Sequence, residues 1–281
     1  MVLLSAAFFG LITTFSKFAY NAGANPLTVV ETRTAAFVLV FGAFQLAKRR
    51  SFMLPRRIFI ATFPMSVGIM VMSIGYLASV FFIKVSLAVV LFYSFPMIVA
   101  LLAVATGRER IALPKALALV VAFGGLVMAI GLESGSLDWR GVALVMAGAL
   151  GVAANLTFTG RYFAAADGLT LNVWNNLWGA LALGAYLILS DSLAWPTTGV
   201  GWACLGGVAT CYVLGLPLMF GALKYLPPSQ TAVMFNLEPV VSIIVATLLL
   251  GEVTLPMQWL GVAIMLAALC FSALRGAKSE A

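Results

Sequence analysis

Glu238 is the residue with the most chemistry to offer. It lies about ten residues into an apolar stretch of membrane-spanning length and directly precedes Pro239. A charged group at that depth costs several kcal/mol, on the order of 3 on insertion scales, so it needs a use or a partner. Two uses fit: holding a substrate ammonium, or carrying a proton. The structural alternative is a carboxylate paired with Lys, Arg or a backbone donor. Pro239 leaves a carbonyl of the preceding turn without its donor and favours a kink. Glu31 and Arg33 stand two residues apart in the outer third of another span and project on different faces. Lys17 lies in the outer part of the first span. These three are candidates for coupling or for ion pairs, such as Lys17 with Glu31. Lys84, at a span mouth, can snorkel.

Uncharged groups carry equal weight. Tyr76 follows Gly75, and Tyr93 stands three residues before Pro96 and next to Phe92. A tyrosine hydroxyl within a span needs a partner, so both should face the protein interior. An aromatic amino acid would find stacking surfaces and hydroxyl donors there; an ordinary packed or interfacial aromatic is the alternative. Asn155, Thr157, Asn175, Asn176 and Asn236 must also be satisfied within the bundle. Tyr76, Tyr93, Asn155, Thr157, Asn236 and Glu238 are therefore the candidate substrate-binding residues, with Pro96 and Pro239 as helix breaks. Trp139, Trp195 and Trp259 sit near span ends, while Trp174 and Trp178 share one helix face as packing or lipid contacts.

The inventory excludes most enzyme chemistry. There is no histidine, which removes histidine metal sites, general bases and proton relays. Cys204, Cys211 and Cys270 form no CxxC pair and read as free, buried hydrophobes. No metal or cofactor is called for. There is no GxxxxGK[ST], HExxH or GxSxG motif, so neither ATP hydrolysis nor these intramembrane chemistries fit. Asp138, Asp167 and Asp191 all map to loops or span ends, against an aspartyl mechanism. A channel would need a filter-like loop, and none is present. The expectation is a transporter and not an enzyme.

The positioning elements follow from composition. Of 281 residues, 63% are apolar and 9% charged, with mean hydropathy +1.10. A soluble domain carries about 25% charged residues. The apolar stretches run about twenty residues, the length of a membrane-crossing helix; a β-barrel would show alternating segments of about ten. Ten spans are predicted, near 2–22, 27–47, 58–83, 86–106, 114–132, 139–162, 169–190, 199–223, 229–250 and 255–274. The start, MVLLSAAFFG, lacks the basic region of a signal peptide and reads as the beginning of the first span.

Ten spans place both termini on one side. Lys48, Arg49, Arg50, Arg56, Arg57, Arg108, Arg110, Lys115, Arg161, Lys224, Arg275 and Lys278 then share that side, 12 of the 16 basic residues. The positive-inside rule makes it cytoplasmic, in a plasma or bacterial inner membrane. The net charge of +7 is thus topogenic; no soluble domain is left to bind nucleic acid.

The halves repeat. FYSFPMIVALLAVATGRE (92–109) superposes on FNLEPVVSIIVATLLLGE (235–252), with Pro96 on Pro239, Glu109 on Glu252 and Tyr93 on Asn236. VFFIKV (80–85) pairs with FGALKYLPP (220–228), and FGLITTFSKF (9–18) more weakly with LGVAANLTFT (150–159). Five spans per half force the second copy to lie upside down, as inverted repeats 1–137 and 138–281. Transporters use this arrangement to exchange openings about a central site. Small residues, Gly124, Gly125 and Ala129 in span 5 and Gly261 and Ala263 in span 10, permit close contact there, either within the chain or in a homodimer.

ALKYLPPSQTAVMFNLEPVVSIIVATLLLGE (222–252) resembles the signature of EamA-type proteins in the drug/metabolite transporter superfamily. PLTVVETRTAAF (26–37) is similar to that family's second span, with its arginine at Arg33. The resemblance covers nearly the whole chain, although Gly107 in the first copy is one position out of register with Gly251. It implies a ten-helix exporter of small metabolites, with a cavity lined mainly by spans 1, 3, 4, 6, 8 and 9. Overall similarity is greatest to the YddG-type exporters of aromatic and other amino acids. The expected function is secondary, alternating-access export of small metabolites, with amino acids as substrates, by a monomer or homodimer in the lipid bilayer that binds no nucleic acid. Drugs or nucleotide sugars are the competing cargo, the latter needing a more basic cavity than Lys17 and Arg33 provide.

Overall fold

The structure, a computed structural model, describes residues 1–106, 113–130, 138–163, 167–222, 225, 234–235, 237–252 and 255–279. It is all-helical among these. The helices are α1 (Val2–Asn21), α2 (Pro26–Ala47), α3 (Arg56–Phe82), α4 (Val85–Phe92), α5 (Phe95–Ala105), α6 (Leu113–Ile130), α7 (Trp139–Phe163), α8 (Gly168–Leu189), α9 (Gly199–Ala222), α10 (Leu237–Leu250) and α11 (Pro256–Ser279). They correspond to ten membrane passes, with α4 and α5 sharing the fourth. Four of them, α1, α2, α3 and α9, are each long and apolar enough to cross a membrane unaided.

Local sequence sets the ends. Asn25 accepts from the Thr28 amide at 2.7 Å, and Pro26 supplies a first helical residue that needs no donor partner. Asp167 caps α8 in the same way, accepting from the Thr170 amide at 3.1 Å. The fourth span is not one helix. The chain turns at Tyr93 and Ser94, because Pro96 has no N–H for the Phe92 carbonyl and its ring crowds that turn. Ser94 then starts α5, its carbonyl accepting from Met97 at 3.0 Å.

Packing repeats with a two-fold pattern. The α1–α9 contact is matched by α3–α7, and α2–α9 by α3–α8. The α1–α10 contact is matched by α7 against the α4–α5 pair. The α2–α8, α4–α10 and α6–α11 contacts map onto themselves and lie on the axis. Advancing each pass by five converts one set into the other, which is the relation of two inverted five-helix repeats.

Glycines allow the tightest crossings. A Cβ on Gly75 would stand 2.5 Å from the Leu144 carbonyl oxygen and 2.8 Å from the Gly148 nitrogen. A Cβ on Gly125 would stand 2.6 Å from the Met265 nitrogen, so passes 5 and 10 pack on each other within the chain.

The two ends of the bundle differ. One face, here the N-terminal face, holds Met1 and the loop 48–55. The opposite face gathers 22–25, 83–84 and 190–198. There Asn25 donates to the Ser192 carbonyl, the Ala194 amide donates to Thr28 Oγ1 at 3.1 Å, and the Thr197 amide donates to the Ala22 carbonyl at 2.8 Å. Asp138, just before α7, holds Arg140 at 2.7 Å, and that guanidinium keeps its carboxyl below the usual range.

Candidate functional site

Glu238 occupies the first turn of α10 and is 8% exposed. The positive end of a helix favours a carboxylate in its first turn. Opposite stands the break in the fourth pass. Tyr93, at the C-terminal end of α4, points its hydroxyl toward the Glu238 carboxylate. Tyr76 from α3 stacks on Phe92, with ring centroids 4.2 Å apart and planes 13° from parallel. Its hydroxyl is enclosed beside Ser242 and within electrostatic reach of Glu238, without a well-formed hydrogen bond among the described residues. Ser242, one turn beyond Glu238, shares a 2.6 Å hydrogen bond with Thr13 of α1. Gly10 lets α1 approach: a Cβ there would stand 2.9 Å from the Glu238 carbonyl oxygen. Four elements, α1, α3, α4 and α10, thus meet at one carboxylate, two phenols and two hydroxyls.

Of the sequence candidates, Tyr76, Tyr93 and Glu238 come together. Asn155 instead donates to the Met65 carbonyl at 3.0 Å and ties α7 to α3. The side chains of Thr157 and Asn236 lie outside the described residues. Ser242 was not singled out from sequence, although its spacing of four from Glu238 puts both on one helix face.

The other candidate charges, Lys17, Glu31 and Arg33, are placed elsewhere. Lys17 donates to the Val80 carbonyl and is attracted by Glu252, and not by Glu31, the example of a partner that the sequence offered. Glu252 follows α10 and caps α4. It accepts from the Val85 amide at 2.6 Å, from the Ser86 amide at 3.0 Å and from the Ser86 hydroxyl at 2.7 Å. Glu31 lies against Gly184 of α8 with Oε2 buried and unpartnered. Arg33 places its guanidinium 4.5 Å over the Tyr212 ring. A desolvated cation–π contact returns about 2 kcal/mol, less than full compensation for a buried charge. Lys84 precedes α4 and is exposed.

Trp174 and Trp178 both serve packing: their indoles donate to the Phe52 carbonyl at 2.9 Å and to Thr62 Oγ1 at 3.0 Å. Cys204, Cys211 and Cys270 form no disulfide among the described residues. No cluster of three His, Cys, Asp or Glu converges among the described residues.

A phenol-flanked carboxylate at the start of a half-helix can hold an organic cation or exchange a proton, and the stacked Tyr76–Phe92 pair offers a flat apolar wall. No curated protein matches the chain. One crystal structure, whose title states only that it is a protein, superposes with a TM-score of 0.66 at 15% identity, covering 99% of this chain and 98% of that one; it shares the fold. The model of the EamA-like transporter family matches residues 1–131 and again 139–274. A duplicated match over nearly the whole chain agrees with the two-fold packing, and the protein belongs to this family of multi-pass membrane transporters of small metabolites.

Proposed function

We propose that the chain exports small amphipathic metabolites, amino acids with aromatic members among them, by alternating access of its two halves, 1–137 and 138–281. The observation that carries this reading is Glu238 at the head of α10, facing Tyr93 beside the stacked Tyr76 and Phe92. The carboxylate attracts a substrate ammonium, and the rings receive an apolar or aromatic side chain. The likeness to YddG-type exporters points the same way.

The basic residues of the N-terminal face make that face cytoplasmic in a plasma membrane, with both termini inside. The opposite face is then external. Glu252 closes it by tying α10 to the first turn of α4; Glu109, aligned with it in sequence, lies outside the described residues. Releasing the Glu252 clasp opens the substrate path on this side. Coupling, if any, falls to a carboxylate, and Glu238 is the first choice because the chain has no histidine.

The test is uptake into proteoliposomes of labelled amino acids, nucleosides, nucleotide sugars and cationic dyes, with and without a pH gradient. Saturable amino acid transport, strongest for aromatic members, is expected. Transport confined to dyes or nucleotide sugars would replace the amino acid reading with the drug or nucleotide-sugar one.

A further inference from the structure

Among the described residues, Arg33 is the buried cation that the site at Glu238 leaves unused. It is 4% exposed, and its Nε is enclosed without an acceptor. No hydrogen bond reaches Nε among the described residues, and the neighbours of the guanidinium are the face of Tyr212 and the phenol of Tyr20. None of the described carboxylates pairs with the guanidinium, although Glu31 keeps Oε2 without a partner. Glu31 lies against Gly184, Glu238 faces Tyr93, Glu252 caps α4, Asp138 holds Arg140, Asp167 caps α8, and Asp191 is exposed in a loop.

The surroundings are rigid and apolar. The Tyr212 hydroxyl donates to Asn176 Oδ1 at 2.9 Å, which fixes the ring beneath Arg33. Phe9 and Phe37 meet that ring edge-on, with centroids at 6.2 Å and 5.8 Å. Phe9 also touches Phe235, three residues before Glu238. Aromatic rings therefore run from Arg33 toward the candidate site. They exclude water and carry no full negative charge, so the cation is left with half of its recognition chemistry unmet.

We propose that Arg33 and the aromatic box of Tyr212, Phe9 and Phe37 form a subsite for the carboxylate of the transported substrate. The planar fork of a guanidinium matches two coplanar carboxylate oxygens. One Arg with no second base suits a monoanion and not a phosphate dianion. The rings favour a carboxylate borne on an apolar or aromatic body. The proposal rests on the reading of the chain as an exporter of such metabolites, and it assigns the end of the substrate that Glu238 cannot recognise.

The test uses the purified full chain with three probes: phenylalanine, 3-phenylpropionate (carboxylate without ammonium) and phenethylamine (ammonium without carboxylate). Binding is followed by thermal stabilisation and transport by uptake. Arg33→Gln should weaken 3-phenylpropionate by about 30-fold and leave phenethylamine unchanged. Arg33→Lys, which keeps the cation and loses the fork, should weaken the carboxylate by about 10-fold and serves if the Gln variant does not fold. Equal losses for both probes would show a merely structural role and overturn the proposal, as would failure of 3-phenylpropionate to bind the unaltered protein. Transport of phenylalanine with an unchanged KM in Arg33→Gln would overturn the subsite and leave the exporter reading intact. Arg33-dependent binding of 3-phenylpropionate without amino acid transport would do the reverse.

Discussion

Asn25 and Asp167 start α2 and α8 with the same bond, to the amide three residues on. Thr28 and Thr170 occupy the same next position, and each hydroxyl accepts from the other half, from the Ala194 amide and from Gln45 Nε2. Eight residues beyond each cap the likeness ends: the first repeat has Arg33 and the second has Asn175. Both are buried and both keep polar atoms without partners. The same contrast appears where Tyr93 aligns with Asn236 and Phe95 with Glu238. Two copies of one scaffold thus agree in caps and in which passes pair, and differ in the groups they bring to the interior. A symmetric frame permits two interchangeable states, whereas an amphipathic substrate with unlike ends requires unlike walls.

Gly75 and Gly215 offer the strongest means of separating frame from repeat, since each stands nine residues before the aligned Lys84 and Lys224. A Cβ on Gly75 meets backbone of α7, while one on Gly215 meets the Phe9 ring at 3.0 Å, which can turn. Gly75→Val should cost about 3 kcal/mol or more and prevent stable assembly, and Gly215→Val should cost about 1 kcal/mol. Equal thermal stability of the two would show that the crossings are equivalent after all.

At the site itself, Glu238→Gln keeps the shape and removes the charge. Transport of an ammonium-bearing substrate should fall about 100-fold, and any response to a pH gradient should vanish. Persistence of that response would move the coupling group elsewhere. Tyr93→Phe removes the hydroxyl that faces Glu238, and an intermediate loss of about 10-fold in uptake is expected, against little change for Phe95→Leu.

The clasp comes next. Glu252→Ala strips three acceptor contacts from the start of α4 and should destabilise this state by about 2 kcal/mol, read as faster labelling of a cysteine placed at Ser86. The smallest effects belong to the shared caps. Asn25→Ala and Asp167→Ala should each lower stability by about 1 kcal/mol, and a large inequality between them would weaken the equivalence of the repeats.

Hydropathy and charge predicted the passes well because span length and loop chemistry are local. The family likeness could be read from 222–252, where Pro239, Gly251 and Glu252 keep their spacing. The break at Tyr93 was less visible: the run 86–106 is continuously apolar, and only Pro96 marks it. Partner choice could not be read at all for Lys17 and Arg33. One dimension suggests a carboxylate for every cation, but these two meet a backbone carbonyl and a ring distant in the chain, Val80 and Tyr212. The same holds for Glu252, whose cap on α4 joins residues in different repeats. The small residues of passes 5 and 10 allowed a partner inside the chain or outside it, and the crossing at Gly125 packs the two passes on each other within the chain.

The interruption at Tyr93 and Ser94 divides the fourth pass into two short rods of 8 and 11 residues. Rods joined at a pivot can swing one at a time, so the mouth on one side can widen while the other stays shut. A rigid column would drag both rims together and leave the bilayer leaky at mid-stroke. On the alternating-access reading proposed above, the proline just past the pivot serves as insulation: it lets cargo through without short-circuiting the membrane.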